Sequence, residues 1–222
     1  LNNQVELWEF MLACIKLRVV MVPTTTQMTS ADLEDRVSRA DAAWAVAGAE
    51  DLAKFAGVGE GLRLVHVPGV FAEGEARRAP EVPEVPGHTV LSYDDAAGAS
   101  AELSPAEPTP ADETLLFYFT SGTTSKPKLV EHTHTSYPVG HLTTIYWIGL
   151  QPGDVHLNVA SPGWAKHAWS NFFAPWIAEA TIFVHNARKF DPAALMANMD
   201  RYSVTSFCAP PTVWRMLIKA DL

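Results

Sequence analysis

The chain has 222 residues, 48% hydrophobic and 18% charged, which suits one globular domain or two small ones and excludes disorder throughout. Sixteen Lys and Arg against twenty-five Asp and Glu leave a net charge of −9, which argues against a nucleic-acid backbone or an anionic membrane surface as partner. No apolar run approaches the roughly 18 residues that cross a bilayer, because Glu6, Glu9, Lys16 and Arg18 punctuate the most apolar stretch. Cys14 and Cys208 each lie inside an apolar segment, as expected of packed, reduced thiols, and the expected location is cytoplasmic.

Helical and strand patterns alternate along the chain. Asn3 is placed to cap a helix over residues 4–17, and the β-branched run 19–22 ends at Pro23. Thr29 and Asp32 have the spacing of a capping box opening a helix to about Ala40, followed by a strand over 43–47, a short helix over 49–55 and a strand over 62–67. Residues 72–113 hold ten acidic and two basic side chains and six of the sixteen prolines, so this segment carries most of the negative charge. It reads as an extended, solvated connection broken by a short strand near 89–92. Residues 114–119 are apolar on both faces, the pattern of a strand buried inside a sheet.

A helix over 136–148, a strand over 155–160, a Trp-rich helix over 164–178 and a strand over 181–185 follow. Asp191-Pro192 caps a helix to about Tyr202, and a strand over 204–208 leads through Pro210-Pro211 into a last helical pattern still running at Leu222. With no basic leader at Leu1 and no stop signal at the other end, the chain reads as a portion of something longer. The expected fold class is α/β: mainly parallel, doubly wound sheets with flanking helices. The division expected is a first subdomain over 1–150 and the opening of a second over 151–222.

Ligands of open α/β sheets sit at the carboxyl ends of strands, so the segment leaving the buried strand 114–119 is the first candidate site. It reads Thr120-Ser121-Gly122-Thr123-Thr124-Ser125-Lys126-Pro127-Lys128. Five hydroxyls, a glycine free to adopt positive φ and two lysines within nine residues form a cradle for phosphates, with backbone N–H groups and hydroxyls as donors and lysine supplying charge. The phosphate loop of P-loop NTPases does not fit, since no second glycine precedes Lys126 and Pro127 pushes Lys126 toward extended geometry. Ser125 and Lys128 match the S-x-x-K of serine acyl-enzymes, but that motif needs its serine at a helix start, and no S-D-N or K-T-G partner occurs.

Phe119-Thr120-Ser121-Gly122-Thr123-Thr124-Ser125-Lys126-Pro127-Lys128 closely resembles the [YF]-T-S-G-[ST]-[ST]-G-x-P-K signature of the adenylate-forming (AMP-binding) superfamily: acyl-CoA synthetases, adenylation domains of non-ribosomal peptide synthetases, and luciferases. Asn3-Gln4-Val5-Glu6-Leu7-Trp8, Ser161-Pro162-Gly163-Trp164-Ala165-Lys166, Ala168-Trp169-Ser170 and the stretch 207–217 resemble the medium-chain and acetyl-CoA synthetase branch. Ser125 replaces the usual glycine, Leu129 replaces the glycine that often follows the last lysine, and Arg18-Val19 stand where the branch usually has Gly-Ala, a place where a buried arginine would be unfavourable.

The resemblance implies ATP-dependent activation of a carboxylic acid, a fatty or other small acyl group, to an acyl-adenylate, followed by thioester formation with CoA. Mg²⁺, ATP and CoA are the implied cofactors and co-substrates, and the small-molecule carboxylate is the implied partner. Thr120 to Lys128 would wrap the β- and γ-phosphates, with Lys128 and Thr120 the catalytic candidates, and Trp164 would lie beside the acyl group. Trp169, Phe172, Phe173 and Trp176 read as core, and His132-Thr133-His134 with His141 lacks the Cys or carboxylate that would complete a zinc set. The family's later G-Y-G-x-T-E segment, its ribose-binding Asp and its C-terminal domain with a catalytic Lys have no counterpart in this sequence. The isolated 222 residues are therefore expected to bind phosphate or nucleotide without turnover.

Overall fold

The computed structural model of the protein describes residues 1–69, 81–103, 107–120, 126–187 and 189–220. In chain order the elements are α1 (Val5–Leu17), α2 (Ser30–Ala40), β1 (Trp44–Gly48), α3 (Ala49–Leu52) with a 3₁₀ turn over Ala53–Phe55, β2 (Arg63–Val67), and β3 (Val90–Ser92) with a 3₁₀ segment over Tyr93–Gly98. Then come β4 (Thr114–Thr120), β5 (Lys128–Thr133), α4 (Ser136–Gly140), α5 (Leu142–Ile148), β6 (Val155–Asn158), α6 (Ala165–Ala168), α7 (Ala174–Ile177), β7 (Thr181–Phe183), α8 (Pro192–Arg201), β8 (Ser206–Cys208) and α9 (Pro211–Lys219). Contacts group them into two units: Leu1, Thr24–Pro108 and Phe117–Val130 in the first, Asn2–Pro23, Thr109–Leu116 and Glu131–Leu222 in the second.

The first unit is built on a parallel sheet ordered β1-β2-β3, with Val46 opposite Val65 and Leu64 opposite Val90. Helix α2 starts as its sequence demands: Thr29 accepts from the Asp32 amide and Asp32 accepts from the Thr29 amide, so two donors at the helix start are satisfied reciprocally. Leu33 from α2 joins Ala47, Leu52, Phe55, Val58, Leu62 and Leu64 in one apolar cluster. Val85 belongs to the same cluster, so the acidic segment is not wholly a solvated connection. A β-branched apolar side chain among its prolines has a place in the core, and β3 takes a place in the sheet.

The second unit has a parallel sheet ordered β7-β6-β8, with Leu157 opposite both Phe183 and Phe207. Leu157, Leu195 from α8 and Leu217 from α9 form its apolar centre, and Leu150 packs with Ala174 and Ala178. Asp191 caps α8 by accepting from the Ala194 amide, with Pro192 in the first turn where no N–H is needed.

Several expectations are revised. Asn3 does not cap α1: Gln4 takes that position with no side-chain bond, and Asn3 instead donates to the Ala160 carbonyl and accepts from His167, long-range bonds that outcompete a local cap. The run 19–22 makes only a parallel bridge from Met21 to Leu116, since Pro23 brings no donor to continue a ladder. The helix expected over 136–148 breaks at His141 into α4 and α5; α4 contains Pro138 and Gly140, both poor helix formers. The Trp-rich helix carries a π-helical turn over Trp169–Phe173 between α6 and α7. Ser170, Asn171, Phe172 and Phe173 are all buried, and four consecutive buried residues do not fit one face of a 3.6-residue helix. The two three-stranded sheets are parallel and flanked by helices, as the α/β alternation requires, while β4 pairs with β5 in a separate two-stranded sheet.

Candidate functional site

Strand β4 buries Leu115, Leu116 and Tyr118 and delivers Thr120, exposed, at its end. Residues 121–125, which contain Ser121, Gly122, Thr123, Thr124 and Ser125, lie outside the described residues. The chain is described again at Lys126, Pro127 and Lys128, all exposed, and Lys128 is the first residue of β5, which pairs with β4. The candidate phosphate loop thus leaves the carboxyl end of one strand and returns into that strand's partner. Lys128 opens a strand, and Ser125, the other half of the S-x-x-K match, lies outside the described residues.

Helix α2 supplies residues that spacing alone did not single out. Arg36 and Arg39 lie over the ring of Phe119, with guanidinium carbons 4.6 and 4.9 Å from its centroid. Asp35 bonds Arg39 at 3.1 Å, and its other oxygen is 3.8 Å from the Lys126 amine. Burial holds the Arg36 guanidinium below its ordinary pKa, with Asp32 and Asp35 opposing. No linear motif joins a helix near residue 36 to a strand end at 119, so only the fold reveals this group.

In the second unit, the carboxyl ends of β6 and β8 carry a different chemistry. Trp164 is 61% exposed and stands in extended geometry immediately before α6, its amide donating to the Ser161 carbonyl and its carbonyl accepting from the His167 amide. Phe172 and Phe173 are buried as expected of core rings, whereas Trp176 is 38% exposed and Trp169 half-buried. The Lys166 amine lies 3.0 Å from the Cys208 sulfur and over the Trp169 ring.

Behind Trp164 runs a buried polar network. His156 Nε2 is 2.8 Å from the Ser170 carbonyl, which can only accept, so that nitrogen carries the proton and Nδ1 accepts from the Ser206 hydroxyl at 2.9 Å. Asn158 donates to Ser170 Oγ and accepts from the Ala160 amide at 2.6 Å. His167 Nε2 donates to Asn3 Oδ1 at 2.8 Å, and the Trp8 indole donates to the Asn171 carbonyl at 3.0 Å. Burial, reinforced by the Lys166 charge, lowers the His167 pKa to about 3. His156 is lowered too, chiefly by burial, and both rings are neutral at pH 7.

His132 and His141 set their rings against Tyr137, at 4.7 and 4.4 Å, and both are pushed below the usual imidazole pKa by burial. Among the described residues no three His, Cys, Asp or Glu side chains converge on a point that could hold a metal ion, and no helix is long and apolar enough to cross a membrane.

A family model described as "AMP-binding enzyme" matches residues 1–222. The chain belongs to the AMP-binding enzyme family. It is 38% identical over 220 residues to 4-hydroxybutyrate–CoA ligase 1 of Metallosphaera sedula and 30% identical over 218 residues to the mitochondrial acyl-coenzyme A synthetase ACSM3 of Homo sapiens, covering 97% and 98% of this chain. In both cases it spans 35% of the relative's length. Its fold is shared with an acyl-CoA synthetase of Brucella canis, at a TM-score of 0.80 and 23% identity over 98% of this chain and 37% of that one. ATP-bound MatB of Rhodopseudomonas palustris superposes with a TM-score of 0.75 at 20% identity, over 98% of this chain and 39% of that one.

Proposed function

We propose that this chain is the phosphate-gripping portion of an ATP-dependent acid–thiol ligase that converts a fatty or other small carboxylic acid to its CoA thioester. The observation that carries the reading is the signature loop, which leaves the end of β4 at Thr120 and is described again from Lys126 to Lys128, the first residue of β5, in a chain matched by its family along its whole length. In the first step a carboxylate oxygen attacks the α-phosphorus of ATP and the bond to pyrophosphate breaks, leaving an acyl-adenylate. In the second the CoA sulfur attacks the acyl carbonyl and AMP departs.

No protein nucleophile is required, so the chain's own contribution is orientation and charge stabilisation of the departing pyrophosphate. Thr120 supplies a hydroxyl at the mouth of the loop, and Lys126 and Lys128 supply cations at its exit, both exposed to an incoming nucleotide. Mg²⁺, held by the nucleotide's own phosphates, would supply further neutralisation of their charge beside the Lys126 and Lys128 cations. Trp164 offers an exposed indole face at the carboxyl end of its own sheet, where the acyl group of the acid is proposed to lie. The protein is proposed to work in the cytoplasm, in fatty-acid metabolism, and the 222-residue chain alone to bind nucleotide without turnover. The relatives, which are about three times as long, motivate that last point.

Exchange of labelled pyrophosphate into ATP, driven by a panel of short- and medium-chain acids, tests the reading in the whole protein. Lys128→Ala is expected to slow adenylate formation about 100-fold while affecting thioester formation from preformed acyl-adenylate much less. Equal damage to both half-reactions would remove Lys128 from the pyrophosphate, and acyl-CoA formation by the 222-residue chain alone would refute the binding-only proposal.

A further inference from the structure

The two arginines on α2 are not accounted for by the loop's own chemistry. A cation over an aromatic face is attracted by the ring quadrupole, and here two cations share one ring, Phe119, the residue immediately before Thr120. Two guanidiniums this close repel each other unless compensated, and Asp35, bonded to Arg39, supplies the opposite charge. The same carboxylate faces Lys126, so one helix touches the described residues that flank 121–125 on both sides.

Helix α2 is firmly held. Its capping box is complete, Leu33 is buried, and Glu34 accepts from the Gly59 amide at 2.8 Å. Gly59 is at positive φ, and a Cβ there would stand 2.7 Å from Val37 Cγ1, so the backbone approaches the helix as closely as only glycine permits.

We propose that Arg36 and Arg39 are positioning residues for the nucleotide site, holding Phe119 so that the hydroxyl of the adjoining Thr120 is aimed before the nucleotide arrives. The physical gain is preorganisation: fixing the Phe119 ring and the backbone it shares with Thr120 against a rigid helix removes part of the ordering cost from the binding step. This rests on the nucleotide reading above and extends it to residues outside the signature.

The test is a cycle of variants in pyrophosphate exchange by the whole protein, with KM measured separately for ATP and for the acid. Arg36→Gln with Arg39→Gln is expected to raise KM for ATP about tenfold while leaving KM for the acid within about twofold. Phe119→Leu is expected to do the same, and combining all three substitutions to do no more than either set, because both remove one shared contact. Phe119→Tyr keeps the ring and is expected to keep the wild-type KM for ATP. Additive effects in the combined variant, or an unchanged KM for ATP with only a lower melting temperature, would overturn the positioning role while leaving the nucleotide reading intact. A wild-type protein that exchanges no pyrophosphate with any acid refutes the nucleotide reading, and the positioning role falls with it.

Discussion

The two units each bury a three-stranded parallel sheet, and they do so with different interiors. In the first, Leu64 on β2 is surrounded by Leu33, Leu52, Phe55 and Leu62, apolar contacts without direction. In the second, the face of β6 that meets the α6–α7 segment is polar: His156, Asn158, His167, Ser170 and Asn171 are all at most 2% exposed. Hydrogen bonds have direction, so this network fixes how the π-helical turn lies on the strand, and with it the stance of Trp164 just before α6. An apolar core tolerates repacking, whereas a buried network tolerates little, because each broken bond strands a partner. The contrast is not absolute: His66 on β2 is fully buried, and among the described residues neither of its ring nitrogens has a hydrogen-bond partner.

The largest effect is expected in the first unit. Leu64→Ala removes a fully buried side chain and is expected to destabilise by about 3 kcal/mol, whereas Leu64→Met, which keeps the volume, should cost less than about 1.5 kcal/mol. In the second unit Asn158→Leu adds carbon but leaves the Ala160 amide without its acceptor, for an expected loss of about 2 kcal/mol. Urea unfolding of the three variants measures this directly. If Asn158→Leu proves as mild as Leu64→Met, the polar interior is replaceable by packing and the contrast collapses.

Acid sharpens the same comparison. His167 has its folded pKa lowered to about 3 from an ordinary value near 6.5, so it is neutral in the fold, while the unfolded chain takes up a proton below 6.5. Its contribution is fully present above about pH 6.5 and is lost as pH falls from there toward 3, by about 1.4 kcal/mol per pH unit once well below 6.5. Between pH 7.5 and 5.5 the loss from His167 is therefore about 1.4 kcal/mol, and the lowered His156 acts with the same sign. A His167→Gln variant is expected to show a flatter fall of the urea midpoint over that range. An unchanged slope would mean that His167 takes up its proton without leaving the fold.

What could be read from the sequence divides along the same line. Apolar periodicity locates β4, β6 and most helices, and cap chemistry at Thr29 and Asp191 marks two helix starts, because these are local effects. The phosphate loop is legible because its residue types crowd into nine positions. Asn3 misleads because its bonds are to residues more than 150 positions away, and the π-helical turn is invisible because Ser170 and Asn171 carry no apolar signal for the interior they occupy. Arg36 and Arg39 have the ordinary look of solvated helix residues, and only the placement of Phe119 reveals the ring they share.

Arg18 makes the smallest and most separable test, since it joins a surface polar contact to a backbone constraint. It closes α1 in the left-handed conformation, φ 59° and ψ 36°, at a position where the resemblance places glycine, and its guanidinium is not buried: the side chain is 37% exposed and makes two bonds, 2.7 and 2.8 Å, to Glu113. That hydrogen bonding holds the Glu113 carboxyl below the usual carboxylate range. Left-handed geometry costs a non-glycine residue about 1 kcal/mol, and an exposed ion pair offsets some of it in dilute salt. Arg18→Gly is therefore expected to melt above Arg18→Ala by a few degrees, with the wild type between them. In molar salt the wild type should fall to the alanine level, because screening removes the ion pair, while the glycine advantage persists, because backbone strain is indifferent to salt. A salt-insensitive wild type would show that Glu113 adds nothing, and alanine matching glycine would show that the left-handed turn is unstrained.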